Sequence, residues 1–143
     1  MERWHDRSLG HRLYDAFTVA GLRVEAIEPG RLLCSFMVPP RLTSSASNRM
    51  HGGAVASLVD LVDLVGSAVI FAGGSPVTGV SLDITVSYLG AARANEEIEV
   101  EARVLGIGDK TGCVTVEVRR KDTGQVLAHG RHTKYLANVS SKL

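Results

Sequence analysis

The residue types suited to chemistry gather in one short stretch, Asn48-Arg-Met-His51-Gly52-Gly53-Ala-Val-Ala-Ser57-Leu-Val-Asp60. Two adjacent glycines follow a histidine and open a strongly apolar segment, and a carboxylate stands nine residues beyond the histidine. At a helix start the first backbone N–H groups have no partner inside the helix, and glycine lets a ligand oxygen approach them closely. The positive end of the helix dipole lies at the same point. Donors so placed stabilise the oxyanion that forms when a carbonyl is attacked. Asp60, two turns further on, supplies the complementary function, a base. Either feature alone is ordinary, since Gly-Gly often marks only a turn and an Asp in a helix is often hydrogen-bonded structure. Together they point to a site. Between Ala54 and Ile70 the only other polar side chains are Ser57, Asp63 and Ser67, and a carboxylate buried in such surroundings needs a reason. Spacing does not choose between Asp60 and Asp63.

The elements that must hold these residues follow from periodicity. Ser8 to Ala20 has helical spacing, with Leu9, Leu13, Ala16 and Phe17 on one face and Gly21 as a stop. Leu22–Glu28 and Arg31–Val38 read as two strands joined by a Pro29-Gly30 turn. A polar loop, Arg41 to Met50, leads into a long helix from His51 to about Phe71, broken by Gly73-Gly74-Ser75-Pro76. From Val80 the period changes to two. Val80 to Tyr88, Ile98 to Val104, Val114 to Val118 and a last strand from about Gln125 to Leu136 alternate apolar with polar residues. Gly108-Asp-Lys110 and Lys121-Asp-Thr-Gly124 supply hairpin turns. The expected fold class is α+β: a curved antiparallel sheet wrapped around one long buried helix, covered on most sides. The alternation puts Ser81 on the opposite side from Val80 and Leu82. Ser81, Thr85 and Thr115 then give a moderately polar second face on which another subunit fits.

Length and composition narrow the function. The 143 residues make one domain, with a core over about 10–137 and a polar tail over 138–143. Hydrophobic residues are 45% and charged residues 22%, and the net charge of +1 gives no electrostatic case for nucleic acid or an anionic membrane. Cys34 and Cys113 lack metal-type spacing and read as reduced core residues. The five histidines show no paired ligand spacing apart from His129 and His132, which lie in an expected strand, so no metal is expected. Arg3, His5, Asp6 and Arg7 interrupt any secretory signal. Asp60 and Asp63 in mid-helix exclude a membrane span, at roughly 2.5–3.5 kcal/mol each. The chain stops at Ser141-Lys142-Leu143, the tripeptide read by the peroxisomal import receptor, which makes a peroxisomal location the expectation in a eukaryotic source.

Three blocks in order, His51-Gly52-Gly53 with Ser57-Leu58-Val59-Asp60, Gly79-Val80-Ser81-Leu82-Asp83, and Gly130-Arg131-His132-Thr133-Lys134, resemble the hotdog-fold thioesterase superfamily. Within it they are most similar to the acyl-CoA thioesterase 13 (thioesterase superfamily member 2) and phenylacetate-pathway branches. The resemblance covers roughly residues 10 to 137. It implies hydrolysis of acyl-CoA thioesters at sites between subunits of a homodimer or homotetramer, with CoA as part of the substrate and no separate cofactor. On that pattern the Gly52 N–H polarises the thioester carbonyl. Asp60 from the partner subunit activates water or attacks directly, and Ser81 orients either one. His51 orients the loop or is structural. The family's loop Asn falls at Ser45 here, and Asn48 stands three residues nearer the helix. Resemblance also assigns CoA contacts to Tyr88, Arg93, Gly108, Lys110, Thr111, Lys134 and Tyr135. With 5% aromatic residues and no aromatic cluster, fatty acyl groups are favoured over aromatic ones. The alternatives are a hotdog enoyl-CoA hydratase or dehydratase, for which His51 is the only good catalytic histidine, and a non-catalytic acyl-CoA-binding module, which would have no use for Asp60.

Overall fold

The computed structural model describes residues 13–71 and 80–136, apart from several side chains, including all those from 63 to 71. The Ser141-Lys142-Leu143 tripeptide, the first residues of the expected N-terminal helix and the Asp63 side chain lie outside the described residues. Helix α1 spans Leu13–Val19 and is followed by strands β1 (Arg23–Glu28) and β2 (Arg31–Met37), turned by Gly30 at φ +79°. A 3-10 turn at Pro40–Leu42 precedes α2, Gly52–Phe71. Strands β3 (Val80–Tyr88), β4 (Glu97–Ile107), β5 (Thr111–Arg120) and β6 (Val126–Tyr135) complete one antiparallel sheet in the order β1-β2-β4-β5-β6-β3. The element order matches the expectation. The spatial order does not follow the chain, because β3 crosses to the far edge and lies beside β6.

Period-two alternation gives the sheet one apolar face. Leu32, Cys34 and Phe36 of β2 lie in register with Ala102, Val100 and Ile98 of β4. Val100, Ala102 and Val104 in turn pair with Val118, Val116 and Val114 of β5. These residues are buried apart from the half-buried Val104, and α2 presses Ala54, Leu58, Val59 and Val62 onto them. At Gly130 of β6 the helix lies directly against the backbone. A methyl group added at Gly130 would lie 2.7 Å from Val59 Cγ1, inside contact distance of a fully buried side chain. Gly130→Ala is therefore expected to destabilise the fold by about 1–3 kcal/mol, read as a lower urea midpoint at unchanged m-value.

Three expectations need correction. Asp60 is not buried: its side chain is 54% exposed in the single chain. The outer face of the sheet is not moderately polar but densely charged. Glu101, 8% exposed, takes Arg31 at 2.7 Å and Arg103 at 2.8 Å, with Arg119 at 3.6 Å. Burial pushes the Glu101 carboxyl up, but the hydrogen bonds from Arg31 and Arg103 outweigh it and hold the group below its ordinary value. The third correction concerns Ser81 and belongs to the site. Cys34 and Cys113 are free thiols. Burial, aided by the nearby Glu25, pushes the Cys34 thiol up to about 11, so it stays protonated and is no nucleophile.

Candidate functional site

The loop before α2 is fastened on both sides. Met50 N–H donates to Ala92 C=O at 2.8 Å, Ala94 N–H to Asn48 C=O at 3.3 Å, and His51 N–H to Leu42 C=O at 2.8 Å. Asn48 turns the chain with φ 57°, a left-handed conformation that Asn tolerates. Ser45 lies exposed in the turn before it.

These bonds decide which N–H groups are left at the helix start. Ala54 and Val55 N–H both donate to His51 C=O, at 3.0 and 3.2 Å. Among the described residues, neither Gly52 nor Gly53 N–H donates to a protein acceptor. Both glycines are exposed, and a Cβ on Gly53 would meet nothing within 4 Å. These two N–H groups are thus open to an acceptor from outside the chain. On one side of the turn a cavity of about 200 Å³ runs into the core, its mouth at Gly52, Tyr88 and Gly90 and its floor at Ile98, Val118 and Leu127. On the other side His51 and Gly53 face an open groove beneath Tyr14 and Phe17 of α1. Tyr14 bonds Ser57 Oγ at 2.5 Å, and Ser57 Oγ donates to Gly53 C=O at 2.8 Å.

Asp60 lies eight residues past Gly52 on the same helix, about 12 Å along its axis. One chain's carboxylate and one chain's Gly52 N–H cannot serve the same carbonyl. Beside Asp60 stands a residue the motif reading left without a role, His132. It is wholly buried, with Nδ1 3.8 Å from Asp60 Oδ1 and Nε2 2.8 Å from Ser81 Oγ. Ser81 reaches it through a β-bulge. Pairing runs Ser81↔Lys134 and then Asp83↔Thr133, so Leu82 is the extra residue. The insertion flips the alternation and places Ser81 on the helix-facing side with Ile84, which pairs with His132. Simple period-two counting had pointed Ser81 the other way. In the structure His132 falls in the inward phase Ala128, Gly130, His132, Lys134, where a polar residue needs a partner, a placement that no sequence signal marked.

The residues assigned to CoA are dispersed in a single chain. Arg93 is exposed and bridges to Arg49 across the loop. Gly108, Lys110 and Thr111 form the exposed β4–β5 turn, closed by Gly108 N–H to Thr111 C=O at 2.7 Å. Tyr135 is 39% exposed at the end of β6. Lys134 departs from the expected strand-end surface cation, because it is 2% exposed on the inward face. Tyr88 is not simply an outward contact either, since its hydroxyl donates to Gly52 C=O at 2.7 Å. Among the described residues, no group of His, Cys, Asp and Glu has the arrangement of a metal site, and no helix is long and apolar enough to cross a membrane.

A curved antiparallel sheet packed on one long helix, with a glycine turn at the helix start, is the hotdog arrangement. The model of the Thioesterase superfamily matches residues 47–127, and the chain belongs to that family, which defines it as a thioester hydrolase. Its relatives include human acyl-coenzyme A thioesterase 13, 36% identical over 110 residues that cover 77% of this chain and 76% of the relative. The crystal structure of zebrafish thioesterase superfamily member 2 superposes with a TM-score of 0.75 at 30% identity, covering 87% of this chain and 94% of that one. Mouse thioesterase superfamily member 2 gives 0.78 at 27% identity, covering 94% and 96%.

Proposed function

We propose that this chain hydrolyses acyl-CoA thioesters, with fatty acyl groups favoured and aromatic ones the alternative. The observation that carries the reading is the two glycine N–H groups at the start of α2, without a protein acceptor among the described residues, with Gly52 lining an apolar cavity. The thioester oxygen binds at Gly52 N–H and the hydrocarbon of the acyl group enters the cavity. Apart from the Tyr88 hydroxyl the cavity's side chains carry no polar group, which suits an alkyl chain. The acyl-CoA in the name of the human relative fits this chemistry.

Asp60 from a second copy completes the site. Its carboxylate takes a proton from water as the water oxygen attacks the carbonyl carbon, and the carbonyl becomes an oxyanion held by the N–H groups. The C–S bond then breaks, the thiolate of CoA leaves and collects the proton, and the free acid remains. His132 and Ser81 hold the Asp60 end. Arg93, Gly108, Lys110, Thr111 and Tyr135 are proposed to hold the CoA portion. The need for a second copy agrees with β3. It is a nine-residue edge strand whose Val80, Leu82, Ile84 and Tyr88 are 41–59% exposed. Long apolar edges call for a strand partner, so a homodimer joined there, or a tetramer built from it, is proposed.

The row Asp60, His132, Ser81 supports a second reading, in which Ser81 is a nucleophile activated by His132. The two are separated by kinetics. The test is thiol release from acyl-CoA thioesters of short to long chain, plus phenylacetyl- and hydroxybenzoyl-CoA. Steady turnover without a burst, retained in part by Ser81→Ala, is the expected result. A burst of acyl-enzyme abolished by Ser81→Ala favours the second reading. Hydration of crotonyl-CoA without thiol release identifies the hydratase instead.

A further inference from the structure

We infer that Tyr88 is the positioning residue of the oxyanion-binding turn, fixing the peptide between the two glycines, rather than a contact for the CoA portion of the substrate. The inference rests on the reading of Gly52 and Gly53 given above. Two adjacent glycines leave the peptide between them the freest in the loop, yet oxyanion stabilisation depends on donors aimed before the reaction begins. The donors sit in two peptides. The N–H of Gly52 belongs to the His51–Gly52 peptide, whose carbonyl is pinned by Ala54 and Val55 N–H at 3.0 and 3.2 Å. The N–H of Gly53 belongs to the Gly52–Gly53 peptide. The Tyr88 hydroxyl donates to that peptide's carbonyl at 2.7 Å, on the side opposite the N–H.

Packing reinforces the bond. A Cβ at position 52 would lie 3.3 Å from Tyr88 Cε1 and Cζ and 3.5 Å from its hydroxyl oxygen. The ring therefore sits over Gly52 where a side chain would be, and it also forms one wall of the cavity beside the turn. Tyr88 is the last residue of β3. The sheet edge proposed to join two copies thus also sets the donor geometry. A hydrogen bond onto the carbonyl of a peptide also polarises its N–H, making Gly53 a better donor.

Tyr88→Phe keeps the ring and removes only the hydroxyl, at a position 53% exposed, so the fold should survive. The expected result is a fall in kcat of roughly three- to tenfold with KM nearly unchanged, the value of one hydrogen bond felt in the transition state. In the substrate-free protein, the Gly53 amide proton should move upfield in the NMR spectrum, while amides in β4 and β5 stay in place. Unchanged kcat with a raised KM would make Tyr88 a substrate contact and overturn the inference. An unmoved Gly53 amide would overturn it as well. Because the amide is read without substrate, it decides the positioning role even if the enzyme turns over no thioester. That last outcome would instead remove the thioesterase reading.

Discussion

Asp60→Asn is expected to lower kcat for acyl-CoA hydrolysis by about 10²–10⁴, the range of a lost general base, while leaving the fold and KM nearly intact. The amide has the size of the carboxylate but takes no proton from water. At 54% exposure in the single chain, the change opens no core cavity. Asp63→Asn, made in parallel, should retain turnover, because the constellation with His132 and Ser81 forms at Asp60. The reverse pattern, with turnover lost only at Asp63, would transfer the base to that residue. The measurement is free-thiol release under saturating acyl-CoA, with melting curves for both variants.

Gly53→Asp is expected to produce a loss of similar size for the opposite reason. A Cβ added there meets nothing within 4 Å, and the first turn of α2 carries no acidic residue. A carboxylate there complements the helix dipole, so stability should hold or rise by a few tenths of a kcal/mol. The same negative charge faces the developing oxyanion and occupies the N–H groups meant for it. Losing one such donor costs about 2.7–4 kcal/mol of transition-state stabilisation, or roughly 10²–10³ in kcat/KM. A variant that melts no lower than wild type yet has lost its turnover would mark the helix start as reacting machinery. Full activity in Gly53→Asp would remove the turn from the mechanism.

Much of this was legible in the chain. Glycines 52 and 53 marked the start of an apolar helix, and the change from helical to period-two spacing at Val80 gave the strands. Valine and isoleucine in one phase of β4 and β5 named the core face. What stayed hidden depended on long-range pairing. No local signal tells β3 to cross the sheet and pair with β6. The bulge at Leu82 is one residue of hydrogen-bond register, with no mark in composition, yet it reverses the face of Ser81. In β6 both alternating phases carry polar residues, so periodicity could not say that His132 and Lys134 point inward. Asp60 read as buried because its neighbours are apolar. In one chain, however, the Asp60 side chain is left 54% exposed, which is consistent with a second copy meeting it there.

If each site takes its N–H donors from one chain and its carboxylate from another, as proposed, mixing two inactive variants should restore activity. Asp60→Asn and Gly53→Asp, separately tagged, would be unfolded together, refolded and assayed for thiol release. A mixed dimer then holds one site with both defects and one site with neither. With random pairing, about a quarter of wild-type turnover should return, and it should travel with the doubly tagged species. Mixed dimers that form in full but stay as inactive as their parents would contradict the claim and place both parts of the site in a single chain.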